Sequence, residues 1–304
     1  MKKFLVGIDG GGSNTKLLLT DINLNILETS IGGPSNFLKI GLDSASRNVY
    51  ELVIPFIHKY KESRFYIVIG TAGAGRKNDA DEFEFNLKKY FYQNAVVKVV
   101  SDAGITLKGA FENEDGAILI AGTGSILYYK SDKVVNRVGG FGRLIGDEGS
   151  GYSIGRKGLN TLAKILDGRL HSSPLMNLAE EKFEINSQEL LITKVYKESF
   201  NIASFSEVVI EAAIQGDKYS LDIIKEEAEE LFNHITTLIR KENLTELNLV
   251  LTGGLLSNDN IFKSTLINKI NKELPQVEVV NPKHSPEYGA VLIAKEIITE
   301  KNGN

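Results

Sequence analysis

Short apolar runs alternate with polar turns over roughly the first hundred residues, and this pattern predicts β-strands joined by tight loops. Three such runs open the chain, at residues 4–8, 16–20 and 26–30. Glycine, serine, aspartate and asparagine separate them, and these residues favour turns. Two more strands are expected at 65–70 and 96–100, and segments with apolar residues at helical spacing lie between them. We therefore expect an α/β arrangement in this part of the chain.

The same pattern begins again in the second half of the chain. Strands are expected at 117–121, 126–129 and 134–138, and a turn of glycine, serine or threonine again separates the first two. A mainly helical region follows from 149 to about 243, and two further pairs of strand and helix close the chain. Duplicated halves that face each other across a cleft could each offer one glycine turn to a shared ligand.

Charge and composition narrow the classes of function. The 304 residues contain 35 basic and 39 acidic side chains, which gives a formal net charge of −4, and 42% are hydrophobic. These values are typical of a globular protein with two domains, and the mild acidity argues against a nucleic-acid or anionic-membrane binder. The chain has no cysteine, which excludes disulfides, thiolate metal sites, cysteine-ligated iron–sulfur clusters and a catalytic thiol.

The apolar runs are also too short for membrane insertion. None approaches the roughly 20 apolar residues that cross a bilayer, and the N-terminal run is interrupted at Gly7 and Asp9, too early for a signal peptide. We therefore expect a soluble cytoplasmic protein. The four histidines are scattered without metal-ligand spacing, so no zinc site is expected.

The first glycine-rich turn, at residues 9–16, is a candidate phosphate-binding hairpin. No Gly-Lys pair occurs in the chain, so it is not a P-loop, and Thr15 stands where the dinucleotide fingerprint needs its third glycine. Exposed amides in such a turn approach phosphate oxygens closely, hydroxyls add donors, and Asp9 can hold hydrated Mg²⁺. The alternative is an ordinary tight turn with a solvated aspartate.

Two further glycine turns and one aspartate follow apolar strands directly. Residues 121–125 offer amides and two hydroxyls but no carboxylate. Residues 252–255 lie at a strand-to-helix junction, where a flat base can pack on the backbone; a sterically tight turn is the alternative. The position of Asp102 fits either a general base or the cap of the helix that begins at Ala103.

These motifs resemble those of the actin, Hsp70 and sugar-kinase superfamily. Residues 7–16 resemble its first phosphate motif, residues 120–125 its second and residues 251–255 its adenosine motif. The glycine-rich run 139–151 is similar to the N-acetylglucosamine kinase branch, in the BadF/BadG/BcrA/BcrD ATPase family. Two shorter segments are similar to the same branch, Gly-Pro-Ser-Asn at 33–36 and Ser-Asp-Ala at 101–103.

The resemblance implies an α/β fold with two ribonuclease H-like domains that face each other across a nucleotide cleft. The first domain would span 1–112 and carry the sugar and phosphate side. The second, larger domain would span 113–304 and bind the nucleotide, with helix 286–300 as a candidate to pack on the first domain instead. A homodimer that binds a small-molecule sugar, but neither nucleic acid nor membrane, is also implied.

The resemblance further implies an ATP-dependent kinase that transfers the γ-phosphate to the 6-hydroxyl of N-acetylglucosamine or a related amino sugar, such as N-acetylmuramic acid. Asp102 would be the general base, and Asp9 would hold Mg²⁺ through water. The implied sugar-binding residues are Asn36, Asp102, Ser125, Gly140, Phe141, Gly142, Asp147 and Gly151. The implied nucleotide-binding residues are Gly11, Gly12, Ser13, Asn14, Lys16, Gly122, Thr123, Gly124, Gly253, Gly254 and Leu255. The related kinases have tryptophan where this chain has Phe141, so the indole N–H is absent here.

Other interpretations stay open at this point. The sugar could be glucosamine or glucose, and Glu148 and the loop 71–76 have no assigned role. A nucleotide-gated ATPase or binding module without a sugar substrate would hydrolyse ATP independently of sugar. An activator of acyl-CoA dehydratases, also known in this family, is disfavoured because it needs a cysteine-bound iron–sulfur cluster.

Overall fold

The computed structural model describes residues 1–91, 95–131 and 134–302 of the chain. The strands in these ranges form two five-stranded sheets, and helices pack on both sheets. The α/β class expected from the sequence is therefore confirmed. Among the described helices, none combines the length and the apolar character that spanning a membrane requires.

The chain divides into two compact units. The first unit consists of Met1–Glu114 together with Asn281–Asn304, and the second consists of Asp115–Val280. The last segment of the chain, which contains the helix named above as a candidate to pack on the first domain, thus belongs to the first unit.

In the first unit, five strands form one mixed sheet. They are β1 (Lys3–Gly10), β2 (Thr15–Asp21), β3 (Ile26–Gly32), β4 (Arg64–Thr71) and β5 (Ala95–Ser101). In the order β3-β2-β1-β4-β5, the first three are antiparallel neighbours, whereas β1, β4 and β5 run parallel. Most residues of β1 and β4 are buried, as expected for central strands covered on both faces.

Helices cover the two faces of this sheet. They are α1 (Phe37–Ile40), α2 (Leu42–Lys59), α3 (Lys77–Lys88), α4 (Asp102–Phe111) and the C-terminal helix (Pro286–Asn302). Successive side chains of β1 point to opposite faces. Phe4, Val6 and Ile8 therefore pack in the core with α2 and α3, whereas Leu5 packs with residues of α4 and the C-terminal helix.

Glycines let the C-terminal helix approach the first unit closely. A Cβ at Gly7 would lie 2.0 Å from the carbonyl oxygen of Glu287, and one at Gly289 would lie 2.0 Å from that of Ile105. The helix therefore lies directly against β1 and α4, where any larger side chain would collide with backbone. This packing is the physical reason that the end of the chain belongs to the first unit.

The second unit contains a sheet of the same topology. Its strands are β6 (Gly116–Ala121), β7 (Ser125–Ser131), β8 (Val134–Gly139), β9 (Leu247–Thr252) and β10 (Val277–Val279). In the order β10-β9-β6-β7-β8, β6 pairs antiparallel with β7 and parallel with β9, just as β1 pairs with β2 and β4. The two sheets thus confirm the repeat expected from the sequence.

Six α-helices lie in the part of the second unit that the structure describes. They are α5 (Gly151–Leu166), α6 (Pro174–Phe183), α7 (Gln188–Lys197), α8 (Ser206–Ile214), α9 (Lys218–Glu242) and α10 (Ile261–Glu273). All but the last lie between β8 and β9, where the sequence predicted a mainly helical region. Side chains cap four of them; for example, Ser150 accepts a hydrogen bond from the Ser153 amide of α5, and Asp217 accepts one from the Ser220 amide of α9.

Candidate functional site

The hairpin between β1 and β2, residues 10–15, is closed on itself and tied to the loop after β3. The Gly11 amide donates to the Asn14 carbonyl oxygen at 2.9 Å, and the Gly11 carbonyl accepts from the amides of Ser35 and Asn36 at 3.1 and 3.2 Å. The tip of the hairpin, from Gly12 to Asn14, is exposed. Its backbone is therefore held in place while its outer groups are open to a ligand.

Asn36 lies beside this hairpin and begins α1. Its Oδ1 accepts a hydrogen bond from the Leu38 amide at 3.1 Å, so one of its polar atoms serves as a helix cap. The same short helix carries Lys39, whose Nζ would lie 2.9 Å from a Cβ at Gly12. Sequence analysis missed this cation because a lysine outside the glycine motif gives no local sign that it lies beside the hairpin.

Asp9, at the end of β1, lies among other charged groups. Burial, together with the nearby charges of Glu287 and Asp102, raises the pKa of Asp9 to about 6, against the opposing effect of Lys16, which lies opposite Asp9 on β2. Within the described residues, the Oε2 atom of Glu287 is buried and has no hydrogen-bond partner. Excess negative charge and an orphaned carboxylate oxygen fit a hydrated Mg²⁺ ion, which prefers oxygen ligands.

A cation here would take most of its ligands from water or phosphate. Among residues 1–91, 95–131 and 134–302, no three histidine, aspartate or glutamate side chains are grouped closely enough to hold a metal by themselves. Mg²⁺ commonly keeps several waters and binds through one or two carboxylates together with substrate phosphates.

Asp102 lies where β5 passes into α4. Ser101 is the N-cap of this helix, because its Oγ accepts a hydrogen bond from the Gly104 amide at 3.0 Å. Asp102 follows in the first turn, where its Oδ1 accepts from the Ala103 amide at 2.9 Å. Burial raises the pKa of Asp102 above the ordinary value for aspartate, against the opposing effect of hydrogen bonds from the amides of Ala103 and of Asp102 itself. The capping role considered for Asp102 thus belongs to Ser101.

In the second unit, the turn between β6 and β7 (residues 121–125) lies against the start of α5. The Gly122 amide donates to the Gly124 carbonyl at 2.9 Å, and the Gly122 carbonyl accepts from the Gly151 amide at 2.7 Å. The Thr123 carbonyl accepts from the Tyr152 amide at 3.2 Å. Backbone hydrogen bonds therefore hold this second turn as firmly as those that hold the first hairpin.

A carboxylate reaches the second turn from the 139–151 loop. A Cβ at Gly124 would lie 2.7 Å from the Oδ2 of Asp147, and the other carboxylate oxygen accepts from the Gly142 amide at 3.0 Å. Asp147 has a left-handed φ of 59°, and burial raises the pKa of its carboxyl group. The buried Ser125 hydroxyl donates to the carbonyl oxygen of Glu148.

Apart from Gly140, where a Cβ would lie 2.2 Å from the Ile126 side chain, the predicted sugar-binding residues of this unit fall into two groups. Ser125, Asp147, Gly142 and Gly151 are tied together around the second turn. Phe141 is 64% exposed and its ring lies 5.5 Å from the Arg137 guanidinium. Its side chain is therefore accessible to solvent.

The third glycine turn lies directly on the second. Gly253 has a φ of 93°, and a Cβ there would lie 2.4 Å from the Ala121 carbonyl oxygen, which also accepts from the Leu255 amide at 3.0 Å. A cavity of about 690 Å³ opens beside the two turns. Its lining includes Gly122, Thr123, Gly254, Leu255, Ser204 and Glu207. A cavity of this size is large enough for a nucleoside.

Comparison with known proteins places the chain in a family. Residues 6–294 match the profile of the BadF/BadG/BcrA/BcrD ATPase family. The chain belongs to this family. The match covers both units, so membership does not depend on one motif.

Two curated relatives match nearly the full length of this family member. The N-acetylmuramic acid/N-acetylglucosamine kinase of Clostridium acetobutylicum is 34% identical over 302 residues, which cover 96% of this chain and 98% of the relative. The N-acetyl-D-glucosamine kinase of Dictyostelium discoideum is 29% identical over 312 residues, with the same shares covered.

A solved structure shares the fold. A candidate N-acetylglucosamine kinase from Chromobacterium violaceum superposes with a TM-score of 0.78 at 24% identity, covering 96% of this chain and 98% of the other. Together with the repeated sheets, this likeness confirms the two-domain sugar-kinase fold that the motifs implied.

Proposed function

We propose that the chain is an ATP-dependent kinase that phosphorylates the 6-hydroxyl of N-acetylglucosamine or of a closely related amino sugar. The similarity over nearly the whole chain to a relative named for N-acetylmuramic acid and N-acetylglucosamine supports the substrate class. The observation that carries the chemistry is Asp102, a carboxylate at a strand end with a raised pKa near the Asp9 hairpin. Such a group suits proton abstraction from a hydroxyl.

ATP would be bound by the three glycine turns. The exposed tip of the first hairpin and the second turn would donate amides and hydroxyls to its phosphates, and Lys16 and Lys39 would add positive charge. The cavity beside Gly254 and Leu255 would take the adenosine. Mg²⁺, held through water by Asp9, would supply neutralising charge to the phosphates.

The reaction requires one proton transfer and one displacement. Asp102 would accept the proton of the sugar hydroxyl while its oxygen forms a bond to the γ-phosphorus. The bond from that phosphorus to the bridging oxygen breaks, and ADP leaves. A pKa raised by burial makes Asp102 a stronger base than an exposed aspartate.

Several of the predicted residues would contact the sugar. Asp147 would accept hydrogen bonds from sugar hydroxyls, since carboxylates accept such bonds strongly. Asn36 would contribute a further polar contact, and the accessible ring of Phe141 would pack on an apolar face of the sugar.

Glucosamine is a second candidate substrate. A glucosamine kinase of Vibrio cholerae is 24% identical over 245 residues, which cover 78% of this chain and 81% of the relative. It lacks the full-length match of the first two relatives, so we place it after the N-acylated sugars.

A coupled ADP-release assay across N-acetylglucosamine, N-acetylmuramic acid, glucosamine and glucose tests the proposal. We expect release that requires both Mg²⁺ and an amino sugar and is fastest with an N-acylated one. Equal ADP release with and without sugar would overturn the kinase proposal and favour a sugar-independent ATPase.

A further inference from the structure

Glu227, in the middle of α9, is a buried carboxylate that the proposed chemistry does not use. Its side chain is 1% exposed. Burying a charge is costly unless nearby donors compensate for the lost hydration, so a glutamate in such a place requires specific partners.

One oxygen of this carboxylate holds the end of the 139–151 loop. Glu227 Oε2 accepts a hydrogen bond from the Gly149 amide at 2.6 Å. Gly149 has a φ of 75°, and a Cβ there would lie 2.3 Å from the Leu231 side chain, one helical turn further along α9. The loop backbone is therefore pressed onto α9 only two residues after Asp147.

The other oxygen reaches the first turns of α5. Glu227 Oε1 accepts from the Ser153 hydroxyl at 2.8 Å and lies 2.9 Å from the Lys157 ammonium. Lys157 also pairs with the exposed Glu226 at 2.7 Å. Three donors thus satisfy one buried carboxylate, and they join the loop end to the helix that follows it.

The start of the loop rests on the same helix. A Cβ at Gly139, which has a φ of 73°, would lie 2.4 Å from the Nε2 of His234. His234 lies two helical turns beyond Glu227 on α9 and is also buried. Both ends of the loop that carries Asp147 are therefore fixed to one helix, by close packing at one end and a charged hydrogen bond at the other.

We propose that Glu227 is a positioning residue that holds Asp147 in the orientation needed for sugar binding. This inference rests on the proposed function, in which Asp147 binds the sugar. Asp147 occupies a left-handed φ of 59°, a conformation that a non-glycine residue keeps only where its surroundings enforce it. The hydrogen bond from Gly149 to Glu227 provides that constraint two residues away.

The test compares Glu227→Gln with a control variant, Glu226→Gln. The control removes the other carboxylate that is paired with Lys157 but leaves the hydrogen bond between Gly149 and Glu227 in place. The glutamine keeps the size of Glu227 but replaces a charged acceptor with a neutral one and turns an amide donor toward Ser153 or Lys157. We expect the sugar KM to rise about tenfold in Glu227→Gln, with the ATP KM changed less than about twofold. Glu226→Gln should resemble the wild type in both constants.

Glu227→Asp is the second variant, because it keeps the charge and shortens the side chain by one methylene. Its sugar KM should lie between those of the wild type and Glu227→Gln. Hydrogen exchange on the wild-type protein needs no variant, and the Gly149 amide should exchange slowly.

Three results would overturn the inference: an unchanged sugar KM in both folded variants, an equal rise in the KM values of sugar and ATP, or rapid exchange of the Gly149 amide. The wild-type assay separates this failure from a failure of the proposed function. A wild type that phosphorylates no sugar contradicts the function itself, whereas an active wild type with insensitive variants contradicts only the role of Glu227.

Discussion

The two units share one sheet topology but surround their glycine turns with different chemistry. In the first unit, Asp9 belongs to the strand that enters the hairpin, and Asp102 and Glu287 add negative charge nearby. In the second unit, the turn itself has no carboxylate, and Asp147 reaches it from a loop more than twenty residues along the chain. Under the proposed function, the charged groups of the first unit would thus serve the chemistry, and Asp147 of the second unit would bind the sugar.

The segments inserted between equivalent strands explain this difference. In the first unit, β3 and β4 are joined by α1 and α2 alone. In the second, the equivalent strands β8 and β9 are joined by the 139–151 loop and by α5 to α9. The larger insertion builds the loop, the helix on which it rests and part of the cavity beside the second turn. Because loops tolerate more sequence change than the strands they connect, a longer insertion allows the binding residues to vary while the sheet is unchanged.

Asp102→Asn should give the largest effect, because it removes the proposed base from the charged half. We expect turnover to fall by about 10²–10⁴-fold, while binding of an ATP analogue, measured by calorimetry, changes little. Asp81→Asn, at an exposed carboxylate on α3 of the same unit, is the control and should remain active. A variant that kept most of its turnover would remove Asp102 from the mechanism.

Asp147→Asn should act on recognition rather than on chemistry. It keeps the shape of the side chain but weakens acceptance of sugar hydroxyls, so the sugar KM should rise roughly 10- to 100-fold with a smaller change in kcat. Glu189→Gln, at an exposed position on α7, serves as the matched control. If kcat alone fell, the proposed division between the two halves would be wrong.

Asp9→Asn should give a smaller effect, on stability. The pKa of Asp9 is about 6 in the folded chain against 3.8 for an ordinary aspartate. The folded state therefore holds the proton more tightly, and stability falls as the pH rises from about 4 to 6 and stays reduced above that range. The variant lacks this loss and should be more stable by roughly 1–3 kcal/mol at pH 7.5 without nucleotide.

Urea unfolding at pH 4 and pH 7.5 measures this difference directly. The two proteins should be similar at pH 4 and should diverge at pH 7.5, and Mg·ATP should stabilise the wild type more than the variant. A variant less stable than the wild type at pH 7.5 would show that the charged form of Asp9 does not destabilise the folded state.

Local sequence patterns predicted the sheets well because each strand is short, apolar and bounded by turn residues. The first hairpin and the location of Asp102 at the end of a strand were also predicted, because a glycine run or an aspartate directly after an apolar strand is a local pattern in the sequence. Lys39, Glu287 and Glu227 were not predicted. Each lies close to a segment that is distant in sequence, and a single lysine or glutamate on a helix normally marks a solvated face.

The sequence left open on which domain the C-terminal helix packs. Gly7 and Gly289 allow the C-terminal helix to pack closely on the first unit. A glycine inside a strand or helix indicates a close approach of another segment but not which segment it is. Only the structure shows that the carbonyl groups of Glu287 and Ile105 lie against these two glycines.

The most direct test of the central claim is phosphorus–proton correlation NMR of the product formed from ATP, Mg²⁺ and N-acetylglucosamine. We predict one phosphomonoester per ATP consumed, with its phosphorus coupled to the two protons on carbon 6 of the sugar. Release of inorganic phosphate alone, or coupling to the anomeric proton, would contradict the account.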